Sequence, residues 1–141
     1  MEVMQKRHDI RDIEDIKVMV RAFYKRVYAD DVLRPVFEDV AKVDLDSHLP
    51  VMDRFWNRIL FQDSEYEGNP FVVHKRLHDK LPLNECHFLR WLSLFRMTVD
   101  ELFQGPVATR AKRDAESIAN SFQIRLAPNS IDPYFKEIVH D

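Results

Sequence analysis

The 141 residues suit one domain, which at this size buries roughly 70% of its unfolded surface. Only two glycines, Gly68 and Gly105, stand far apart, so no Gly-rich phosphate loop is expected, and a net charge of -3 gives no basic field to attract nucleic acid. The lone cysteine, Cys86, excludes an internal disulfide and a cysteine zinc site; with no signal-like or membrane-length apolar run, the expectation is a soluble, cytoplasmic monomer with no membrane partner.

In chain order, Ile13, Ile16, Val20, Phe23, Tyr24, Val27 and Tyr28 recur at helical spacing, which predicts a helix ending before the stretch ADDVLRP. Asp30 and Asp31 open a turn into VLRPVF, where Pro35 limits any helix to about one turn. Ser47 reads as the N-cap of a helix with Met52, Phe55, Trp56, Ile59 and Leu60 on one face. That start makes Pro50 the third helical residue, where no amide hydrogen is needed, and sets His48 in the first turn. FQDSEYEGNP reads as a connector, and Pro70 as the start of a shorter helix stopping near Pro82.

Phe88, Trp91, Leu92, Phe95, Val99, Leu102 and Phe103 form the clearest apolar stripe, broken by Gly105 and Pro106. A last long helix carries Ala111, Ala115, Ile118, Ala119, Phe122 and Leu126, closes at LAPNS and leaves a tail over 128–141. No sustained alternation of the strand kind occurs. The expected class is therefore all-α, a single domain over 1–141 with its core in about 13–126. Cys86 is expected to be a buried or half-buried small residue, and it makes no catalytic pair with His87, since helix neighbours point about 100° apart.

His74 and His78 stand one helical turn apart and could share a divalent ion. Two ligands do not complete a site, and HKRLH lacks the glutamate of the H-E-x-x-H motif. A haem group, by contrast, brings its own four nitrogen donors and asks the protein for one axial imidazole and an apolar slot. Ten Phe and two Trp supply enough apolar bulk for such a slot.

Five stretches, AFYKRVYADDVLRPVF, HLPVMDRFW, YEGNPFVVH, FLRWLSLF and ESIANSFQIRL, occur in this order, and with them the chain resembles the group III truncated haemoglobins over about residues 13–126. The resemblance implies a shortened globin fold, a two-over-two helical sandwich around haem b. It makes His74 the proximal iron ligand and matches Tyr24 and Trp91 to two distal hydrogen-bond donors. Phe37 matches the aromatic that lies flat on the haem, and His48 a distal histidine that either faces the ligand or swings out as a gate. Met52, Phe55 and Trp56 fall on the haem-facing side of their helix, with Phe88 one turn before Trp91. His78, Lys75 and Arg76 are expected at the haem edge or in solvent, Arg76 being the candidate for a propionate.

Read without the resemblance, Tyr24 and Trp91 are ordinary core aromatics. Read with it, the chain binds O2, CO and NO at haem, and the expected use is NO dioxygenation or peroxide-type redox chemistry supplied with electrons by a separate reductase. An O2 sensor or store is the alternative among haem proteins. A helical interaction module without a cofactor, and a non-haem metal protein built on His74 and His78, are the alternatives outside that class.

Overall fold

The structure is a computed structural model that describes residues 7–37, 44–62 and 85–125. Helix α1 runs Ile13–Ala29, α2 Leu45–Phe61, α3 Glu85–Leu102 and α4 Pro106–Arg125, with no strand among the described residues. Asp12 caps α1 by accepting from the Asp15 amide, and Glu14 and Asp15 place negative charge at its positive end. Its buried face is Ile16, Met19, Val20, Phe23, Tyr24 and Val27. The helix ends where Asp30 turns extended and donates its amide to the Val27 carbonyl.

The start of α2 corrects the expectation at Ser47. The N-cap position is Asp44, and Ser47 lies inside the helix with its hydroxyl donating to Asp44 Oδ2 at 2.9 Å. Pro50 is likewise inside the helix rather than at its third position. Proline there removes one backbone donor without stopping the helix, because the surrounding apolar face supplies the packing. His48 donates its amide to the Asp44 carbonyl, so its place in the first turn is fixed by backbone.

Helix α1 packs on α2 and on α3, and α3 packs along α4, giving two helical pairs laid over one another. Phe95 stands at the junction. Trp56 of α2 stacks on it at 4.8 Å, Trp91 stacks on it at 5.8 Å, and Phe23 of α1 meets it edge-on at 5.4 Å. It is 1% exposed, so truncation to alanine would cost about 3–5 kcal/mol. Ala108, Ala111, Ala115 and Ala119 give α4 a buried face of small side chains, which lets α3 approach closely.

Charged groups tie the helices at their edges. Arg21 of α1 donates to both oxygens of the buried Asp53 on α2, at 3.0 and 3.1 Å. Arg26 donates to Thr98 Oγ1 at 2.9 Å and pairs with Glu101 on α3. Ahead of α1, Asp9 crosses to the start of α4, where Oδ2 accepts from the Val107 amide at 2.9 Å and Oδ1 from the Ala108 amide at 2.8 Å. Gly105 makes room for it: its φ is +151°, and a Cβ added there would stand 2.5 Å from Asp9 Cγ.

Candidate functional site

Tyr24 lies on the inner face of α1, and its hydroxyl is 2.9 Å from Nε2 of His48 in the first turn of α2. The two rings meet edge-on at 5.2 Å. Burial pushes the Tyr24 phenol above its ordinary pKa of 10.0, and the neighbouring Tyr28 pushes the same way. The hydroxyl therefore keeps its proton throughout the physiological range and is available as a donor.

Phe37, carried by the short segment after Asp30, meets Tyr24 edge-on at 5.9 Å and Tyr28 at 6.3 Å. On α2, His48, Met52, Phe55 and Ile59 recur at helical spacing along one half-buried edge, while Asp53, Trp56 and Leu60 lie fully inside. Trp56 is thus a core residue stacked on Phe95. On α3, Trp91 is half-buried and reaches the cluster through Phe23, which it meets at 5.7 Å and 89° and which in turn meets Tyr24 at 5.2 Å. Phe88 is buried one turn before Trp91.

The structure thus brings Tyr24, His48 and Phe37 into contact and connects Trp91 to them through Phe23. Met52 and Phe55 share the helix edge that carries His48. His74, Lys75, Arg76 and His78 lie outside the described residues. Among the described residues no group of three His, Cys, Asp or Glu could hold a metal ion. What the described part of the site can do is wall off a flat apolar group along the α2 edge and present one phenol and one imidazole to a small polar ligand.

The folded chain is similar to the crystal structure of a group III truncated hemoglobin from Campylobacter jejuni, with a TM-score of 0.75 and 25% identity. The likeness covers 86% of this chain and 96% of that one. The fold is that of a truncated globin. No family model and no curated protein matches the sequence.

Within this truncated globin fold a further expectation is corrected: Cys86 is exposed. It shares the outer face of α3 with Leu89, Ser93 and Met97, whereas the core side runs through Phe88, Leu92, Phe95 and Val99. His87, next to it, is half-buried, and burial holds its imidazole below the ordinary pKa. None of the helices is long and apolar enough to cross a membrane, among the described residues.

Apolar periodicity passes over Asp30, which the structure buries with a 3% exposed side chain. Its Oδ2 accepts from the Val32 and Leu33 amides at 3.1 and 3.0 Å, and its Oδ1 lies 2.6 Å from Arg90 Nε. Burial alone would raise the carboxyl pKa, but the Arg90 guanidinium and the two amides outweigh it and hold the group below 3.8. The one signal in the sequence was an aspartate directly after a helix and before a turn, which reads as a turn former.

Proposed function

We propose that this chain binds haem with His74 as its ligand and the α2 edge of His48, Met52 and Phe55 beside it, takes O2 and other diatomic ligands there, and uses bound O2 to oxidise NO. The observation that carries the reading is the buried Tyr24 hydroxyl, paired with His48 inside an aromatic wall, in a fold similar to a truncated haemoglobin. A protonated phenol held among aromatic side chains suits a haem ligand site and suits neither a nucleotide nor a polyanion.

On the strength of the matching stretch YEGNPFVVH, His74 would hold the haem iron and Arg76 would pair with a propionate. Bound haem would supply the diatomic-ligand and redox chemistry by which O2 and NO give nitrate. The side chains do the rest. Tyr24 donates to the ligand, Trp91 adds an indole donor from α3, His48 holds or releases the Tyr24 hydroxyl, and Phe37, Met52 and Phe55 exclude water. One electron per turnover must come from outside, and a separate reductase is assigned that role.

The first test is an absorption spectrum of the purified protein, in which a Soret band supports haem and a colourless protein rejects it. His74→Ala should lose haem or its axial ligand, whereas His78→Ala should leave the spectrum nearly unchanged. The second is rapid mixing of the oxygenated protein with NO. Ferric haem with stoichiometric nitrate supports dioxygenation; a nitrosyl product without nitrate rejects it and leaves ligand binding alone.

A further inference from the structure

The carboxylate of Asp30 joins three stretches of chain, each of which carries one side chain of the pocket. Asp30 ends α1, the helix of Tyr24. Its Oδ2 fixes the amides of Val32 and Leu33, and the Leu33 carbonyl in turn accepts from the amides of Val36 and Phe37 at 3.0 and 3.2 Å. Its Oδ1 takes Nε and a terminal nitrogen of Arg90, at 2.6 and 2.5 Å, and Arg90 immediately precedes Trp91. We propose that Asp30, acting with Arg90, is a positioning residue of the ligand pocket that sets where Phe37 and Trp91 stand relative to Tyr24.

The division of labour between the two oxygens argues for this over simple capping. A cap needs one acceptor, which asparagine supplies about as well as aspartate. Among the described residues the second oxygen serves only Arg90, and a guanidinium held through two nitrogens fixes orientation as well as distance. The neighbouring tie between α1 and α3, from Arg26 to Thr98 and Glu101, lies about two turns further along α3. Two ties at that separation fix both the slide and the roll of α3 on α1. Loss of the Asp30 tie would free the turn that carries Trp91 and leave the Arg26 end in place.

The part of the test that concerns ligand release rests on the haem reading above; the part that reads the indole does not. Asp30→Asn keeps an acceptor for the two amides and removes the anion from Arg90. In a proton–nitrogen NMR spectrum of the protein as purified, the two indole N–H signals are assigned by Trp91→Phe. Asp30→Asn should shift the Trp91 signal clearly more than that of Trp56. Arg90→Gln should give the same shift, and the double variant no more than either alone. Arg96→Gln, which breaks the α3 pair with Glu116 away from the pocket, is the control and should leave Trp91 in place.

With haem bound, Asp30→Asn should raise the O2 dissociation rate by about three- to tenfold, the size expected for coupling within one network. An unmoved Trp91 signal overturns the proposal, as does a shift matched by Trp56 or by Arg96→Gln, since either would mean general loosening. A protein that binds no haem would defeat the haem reading and leave the indole result to decide this one.

Discussion

The Tyr24 hydroxyl and His48 Nε2 lie 2.9 Å apart, so a single hydrogen is shared between two groups that can each donate or accept. When Nε2 carries the hydrogen, the phenol keeps its own for a ligand. When Nε2 is bare, the phenol spends its only hydrogen on the imidazole.

Tyr24→Phe should therefore raise the O2 dissociation rate by about tenfold, the value of one polar contact to a ligand with anionic character. CO takes up little negative charge and should change far less. Flash photolysis and stopped-flow mixing with each gas measure both. Equal changes for the two gases would assign Tyr24 a role in volume and access.

His48→Leu should act in the opposite direction on O2, slowing its release by a few-fold, on the order of one neutral hydrogen bond. The leucine leaves the phenol no competitor for its hydrogen. The double variant with Tyr24→Phe should behave as Tyr24→Phe alone. A faster release in His48→Leu would mean that the imidazole itself holds the ligand.

How far the sequence could be read follows from the kind of signal each feature leaves. Helix α1 ends where its apolar stripe ends, and α3 stops before Gly105 as the pattern predicts, with Pro106 opening α4. Tyr24 and His48 can each be named from their stretches, but the bond between them depends on how α2 crosses α1. Asp44 and Ser47 are both good caps, and nothing local says that the serine would turn back to the aspartate. Residue type points Cys86 inward because cysteine is so often buried, while its position on α3 faces outward. Asp30 and Arg90 are far apart in sequence and leave no periodic trace.

The carboxyls of Asp9 and Asp30 should govern acid unfolding. For Asp9, burial raises the pKa, but the amides of Val107, Ala108 and Ile10 and the charge of Arg110 outweigh it and hold the group below 3.8. A folded-state pKa below the unfolded one stabilises the fold above pH 3.8, and the contribution is lost as pH falls from there through the lower folded-state pKa. Urea midpoints of the native protein should drop across this window, and those of Asp9→Asn should start lower and fall less. An identical pH slope in the variant would remove Asp9 from the account.

Gly105→Ala should destabilise the protein by about 1–3 kcal/mol, because the residue holds a positive φ and the new methyl would meet Asp9. Asp9→Ala should cost about 1 kcal/mol as a lost cap. The two changes touch the same atoms, so in thermal melts the double variant should lose less than the sum. Strict additivity would mean that backbone strain alone, without the contact to Asp9, accounts for the glycine.

Asp9 and Ala108 are 99 positions apart in the chain, and their contact closes a loop that contains α1, α2 and α3. During synthesis the aspartate emerges well before its partner amides, so this clasp cannot form on a growing chain that has not passed residue 108. Loops of such length close slowly compared with the local turns of a helix. The three enclosed helices can therefore gather before the clasp is made, and its closure joins the start of the described chain to its last helix as a late event in folding.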